Sequence, residues 1–137
     1  MHIISKKILY FCHVLVPLSA GVLIYLVYRP EARITRLFAN MGIISISVIP
    51  ESAFEIFICN YGGDILWAYS LTFFIAYFFL DSKEKGKTVL LISIAVEVCF
   101  EISQLLVSSM HGTFDMIDIL LEVMISIIIV FRLFKKT

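Results

Sequence analysis

The chain has 137 residues, room for a single domain spanning 1–137. With 61% hydrophobic and 16% charged residues and a mean hydropathy of +0.99, it departs from a soluble globule, which is roughly half apolar and a quarter charged. Its formal net charge is zero and no basic stripe stands out. Nucleic acid is thereby left without an electrostatic footprint, and the lipid bilayer becomes the expected partner.

Lys6 and Lys7 precede an apolar run over 8–28. That run is longer than the ~7–15 apolar residues of a secretory signal, and no small-x-small cleavage site follows before Arg29, so it is expected as an uncleaved anchor. Pro17 falls inside it, close to His13, which reads as a packed, neutral imidazole bonded within the bundle. The stretch 37–63 is apolar in patches divided by Pro50, Glu51 and Glu55, and each half is too short to span. It is expected as an interfacial or re-entrant segment, with a fifth crossing as the alternative. Asn60, Gly62, Gly63 and Asp64 then read as a turn, with Asp64 capping a second helix over 65–80. Further helices are expected over 89–107 and 116–134. The fold class is thus an all-α membrane protein with four transmembrane helices.

Orientation follows from Lys and Arg. Lys6, Lys7, Lys83, Lys85, Lys87, Arg132, Lys135 and Lys136 fall on one side of this arrangement, and Arg29, Arg33 and Arg36 on the other. The positive-inside rule puts both termini in the cytoplasm of a multi-pass protein of the cell membrane, with 108–114 outside. Cys12, Cys59 and Cys99 lack CxxC or Cys/His spacing and read as buried small hydrophobes, with no disulfide framework or metal site.

The residues able to carry chemistry lie in the last two helices. Glu97, Glu101 and Gln104 are spaced i, i+4, i+7 and fall within a sector of about 60° on one helix. Asp115, Asp118 and Glu122, at i, i+3, i+7, share a face of the next, and a short loop makes the two helices antiparallel neighbours. A carboxylate at mid-bilayer costs about 2.5–3.5 kcal/mol, whereas a Leu or Ile returns only about 0.3–0.6 kcal/mol. Such groups are tolerable facing the bundle interior, near the interface, or paired. Arg29, Arg33 and Arg36 are available as partners, or neighbouring carboxylates share protons. Glu101, Gln104, Asp115 and Asp118 form the candidate polar site, supported by Glu97, Glu122, Arg29 and Arg33. Asp115 is also a fair helix N-cap.

At these residues the chain resembles the VanZ-like family of small bacterial membrane proteins. The resemblance rests on Glu101-x-x-Gln104, then Gly112-Thr113-Phe114-Asp115-x-x-Asp118. A second echo, from Asp64-Ile65-Leu66-Trp67 to Phe73, is similar to the start of the family's preceding helix. Gly112 stands where the family often has Arg, Glu122 where it has Asn, and the later glycines of its last helix are absent. The resemblance implies a cell-envelope role, the family name coming from members associated with teicoplanin resistance. A lipid or envelope ligand at the outer acidic site is the expected function. An intramembrane enzyme using paired carboxylates, by acid/base work or with Mg²⁺ on a lipid head group, is the alternative. A proton or cation pathway is the third. No cofactor is expected: the chain has no zinc signature and no Ser/His/Asp set.

Overall fold

A long apolar run interrupted only by Pro17 folds as α1 (His2–Tyr28) in a computed structural model that describes residues 2–42, 48–79, 85–106 and 115–134. The helix ends at Arg29-Pro30, because a residue before proline is driven out of the helical region. The carbonyls bared at that end find donors nearby. The Arg29 N–H donates to Tyr25 O at 2.9 Å, and the buried Thr35 hydroxyl reaches Tyr25 O and Arg29 O at 3.1 and 2.8 Å. Thr35 belongs to α2 (Arg33–Asn40), which stops before Gly42, whose φ of 81° a side chain would strain.

α3 (Ala53–Phe78) opens on a capping box. Glu55 N–H donates to Ser52 Oγ at 3.2 Å, while Glu55 Oε2 accepts from the Ser52 and Glu51 amides, both at 2.9 Å. This corrects the expected boundary. Helix 65–80 starts at Ala53 instead, 53–63 is continuous α-helix joined to it, and Asn60 to Asp64 make no turn. Asp64 caps nothing and lies in the middle of α3. Gly62 and Gly63 stay helical because their missing side chains let α1 approach. A Cβ on Gly63 would sit 2.8 Å from Tyr25 Cε2, and one on Gly62 3.0 Å from Ile24 Cδ1. The remainder of the expected interfacial stretch holds the end of α2 and, at 43–47, residues outside those described, as are Leu80 and Val107.

α4 (Lys85–Leu106) and α5 (Met116–Phe134) complete the fold. Asp115 directly precedes α5, its Oδ1 accepting from the Ile117 amide at 2.9 Å, as a capping side chain does. Among the described residues every element is helical. α3 is the central helix, packed against α1, α4 and α5; α4 packs on α5, and α1 packs chiefly on α3. An apolar core of Ile75, Ala76, Val89 and Val130 joins α3, α4 and α5 at the end near Lys87.

Ala68, Phe73 and Ile129 are also buried, but most of the remaining buried side chains are polar. Thr72, Ser93, Glu97, Glu101, Glu122 and Ser126 are buried, while Phe11, Val16, Leu23, Leu91, Leu106 and Phe131 face outward. Cys12 and Cys99 are also exposed, which corrects the expectation that they are buried; they sit as small hydrophobes on the apolar outer faces of α1 and α4. Among the described residues, α1 is the helix whose length and composition suit a membrane crossing, over Ile8–Tyr28, 21 residues at a mean hydropathy of 2.0.

Candidate functional site

The acids of α4 and α5 arrive at one another because each set keeps to one face of its helix. Ser93, Glu97 and Glu101 repeat every four residues on α4, and Asp118, Glu122 and Ser126 do the same on α5. α3 supplies Asp64 and Thr72, two turns apart, about 12 Å along the axis. The helices alternate in direction, so the polar groups stack in levels. Nearest the Asp115 end lie Gln104 and Asp115; then come Glu101, Asp118 and Asp64, and then Glu97 and Glu122. Thr72, Ser126 and Ser93 follow, and beyond them the apolar core closes the line.

Burial along this line is severe. Glu97 is 0%, Glu122 1% and Glu101 2% exposed. Gln104 Nε2 donates to Glu101 Oε1 at 3.0 Å. Glu97 Oε1 and Ser126 Oγ are hydrogen-bonded at 2.6 Å, and Ser126 Oγ and Thr72 Oγ1 at 2.7 Å. Glu97 Oε2, Glu101 Oε2, Glu122 Oε2, Asp118 Oδ1 and Ser93 Oγ have no hydrogen-bond partner among the described residues. Electrostatically the acids form one group: Glu101 feels Asp118, Asp64 and Asp115, and Glu122 feels Glu97, Glu101, Asp64 and Asp118.

Arg29 reaches this group without bonding to it. Its Nε donates to Cys59 O at 3.0 Å and its Nη2 to Asn60 O at 2.9 Å, with the guanidinium 5.4 Å from the centre of the Tyr25 ring. The charge acts on Asp64 and Asp118 through space, and the Tyr25 side chain interacts electrostatically with Asp64. Arg36 pairs with exposed Glu31 at 4.0 Å, the one ion pair among the described residues. The expectation that arginines neutralise the acids by direct pairing is therefore unmet for Arg29 and Arg36; the Arg33 side chain lies outside what is described, as do His111 and Gly112, Thr113 and Phe114.

The structure thus gathers Glu97, Glu101, Gln104, Asp118 and Glu122, with Asp115 at the end of the line serving also as a cap. Sequence reasoning missed Asp64, Tyr25, Ser93, Thr72 and Ser126. The signal for three of them was present: Ser93 and Ser126 continue the same faces by one turn, and Thr72 stands two turns from Asp64. His13 is elsewhere, its Nδ1 2.7 Å from the Tyr69 hydroxyl and its ring stacked on Phe73 at 4.4 Å.

Chemically, the arrangement offers buried carboxyl and hydroxyl oxygens without partners among the described residues, suited to a cation or a donor-rich group. Among the described residues, no three of His, Cys, Asp and Glu stand close enough to share a metal ion. No family model matches the chain, and no curated protein or solved structure does so either.

Proposed function

We propose that the chain is a multi-pass integral membrane protein of the cell envelope, whose acidic site binds an amine-bearing lipid or envelope ligand at the outer face. The observation that carries this reading is the reversal of polarity: carboxylates and hydroxyls are buried, while large apolar side chains cover the outside. In water that arrangement would expose far more apolar surface than a monomeric soluble domain tolerates, whereas in lipid it costs nothing. Helices α1, α3, α4 and α5 then cross the bilayer, with α2 at the outer interface and both termini cytoplasmic. The resemblance to the VanZ-like family supports the envelope role.

The ligand chemistry follows from charge. Asp64, Glu101, Asp118 and Glu122 feel one another's charge, and among the described residues Arg29 acts on Asp64 and Asp118 from a distance, so a ligand carrying a protonated amine gains charge-assisted bonds there. The test uses the full chain in nanodiscs made with phosphatidylethanolamine or with phosphatidylglycerol. The amine lipid should raise the melting temperature, and Asp118→Asn or Glu101→Gln should remove that gain while leaving membrane insertion intact. Equal melting in both lipids, or a carbonate wash that strips the protein from membranes, refutes the reading. In cells, labelling of a single cysteine placed at Ser109 from the outside checks the orientation.

A further inference from the structure

Three short oxygen–oxygen contacts run in series from α4 through α5 to α3. Glu97 Oε1 lies 2.6 Å from Ser126 Oγ, Ser126 Oγ lies 2.7 Å from Thr72 Oγ1, and Thr72 Oγ1 lies 2.8 Å from the Ala68 carbonyl oxygen. Each is the length of an O–H···O bond, and each such bond needs one hydrogen. A hydroxyl brings one hydrogen and a carbonyl brings none. Ser126 and Thr72 therefore supply two hydrogens for three bonds. With Glu97 ionised, one of the three contacts would press lone pair against lone pair in a place where Glu97, Thr72 and Ser126 are all 0% exposed.

A hydrogen on Glu97 completes the series. Glu97 donates to Ser126, Ser126 to Thr72, and Thr72 to the Ala68 carbonyl. The second carboxyl oxygen, Glu97 Oε2, has no partner among the described residues. As the carbonyl oxygen of a neutral acid it costs much less to leave bare than as half of a carboxylate.

We propose that Glu97 is a proton-binding site of the bundle, loaded at neutral pH and exchanging with the Asp115 end by way of Glu122, Glu101 and Asp118. The titratable and charged groups facing it support that route. α5 contributes Glu122 and then Asp118; α4 contributes Glu101; α3 contributes Asp64 farther out; and the α1 end contributes Tyr25 and Arg29, the charge of Arg29 acting on Asp64, Asp118 and Tyr25. The opposite direction is closed by Ile75, Ala76, Val89 and Val130, none of which can pass a proton. Among the described residues the site is therefore a store reached from the Asp115 end and closed by the apolar core at the other. On unloading, the proton passes from Glu97 to the carboxylate of Glu122 and leaves Glu97 ionised. The Ser126 and Thr72 hydroxyls then turn toward Glu97, and the Ala68 carbonyl gives up its side-chain donor. This count of hydrogens does not depend on which ligand occupies the outer half of the site.

Infrared spectroscopy of the full chain in nanodiscs at neutral pH tests the proposal, through the carbonyl stretch of protonated carboxylic acids. One such band should vanish in Glu97→Gln and should move to higher frequency in Ser126→Ala, which removes its acceptor. Glu97→Gln keeps a donor for Ser126 and should melt close to the parent, whereas Glu97→Ala should melt well below it. If Glu97→Gln does not fold, the Ser126→Ala shift decides alone. An acid band unchanged in both variants, or no such band in the parent, overturns the assignment.

Discussion

The seam between α1 and α3 and the interior shared by α3, α4 and α5 both bury polar groups, yet they treat them differently. In the seam the hydrogen-bonded polar groups meet partners across it: His13 meets Tyr69, and Arg29 meets the Cys59 and Asn60 carbonyls. In the interior, Glu101, Glu122, Asp118 and Ser93 each keep an oxygen with no partner among the described residues. A satisfied polar group orients packing and adds roughly 1 kcal/mol of net stability, whereas a bare buried one costs about 1–3 kcal/mol. The seam therefore reads as structure, and the interior as a site kept at a cost because something else uses those oxygens.

The sharpest way to break this contrast is to change signs. Glu122→Met fills the same space without a bare oxygen, so unfolding in detergent should show a gain of about 1–3 kcal/mol, together with loss of the amine-lipid effect. A loss of stability would mean that Glu122 is satisfied and that the contrast fails. Gly63→Ala attacks the seam instead. Its new Cβ would stand 2.8 Å from the Tyr25 ring, so the variant should lose about 1–3 kcal/mol by overpacking. Truncating the ring in Gly63→Ala/Tyr25→Leu should recover part of that loss, as coupled neighbours do. Tyr69→Phe is gentler. It strips the partner from His13 Nδ1, and a loss of about 1 kcal/mol is expected in the same unfolding assay.

How far these regions are legible in the sequence depends on the range of the forces that make them. The all-helical class follows from composition and from apolar runs without strand alternation, and the facing acids follow from helical spacing alone. The course of α3 does not. Gly62, Gly63 and Asp64 carry the local chemistry of a turn, and only the approach of Ile24 and Tyr25, far away in sequence, makes glycine an asset within a helix there. Ser52 and Glu55 were the overlooked local evidence, since their spacing is that of a capping box ahead of an apolar run. The partners of Arg29 were illegible for the same reason as α3: backbone carbonyls have no sequence signature, so a carboxylate looked like the natural partner. Thr72 and Ser126 looked like ordinary small residues in apolar helices until the fold set them against Glu97.

The smallest expected effect lies at the start of α3 and concerns whether that local evidence is real. Ser52→Ala removes the acceptor for the Glu55 amide and should cost about 1 kcal/mol, as losses of helix caps do. Glu55 gives the pH dependence its sign. Hydrogen bonds from the Ser52 and Glu51 amides and from the Ser52 hydroxyl hold its carboxyl below the ordinary carboxylate value in the folded chain. A group with a lowered folded-state pKa contributes stability that is present above its unfolded value and lost as pH falls through the folded one. The stability difference between the parent and Glu55→Gln should therefore be present at neutral pH and fade in acid. A difference independent of pH would show that Glu55 acts through its shape alone, and that the N-terminus of α3 is held by packing against α1.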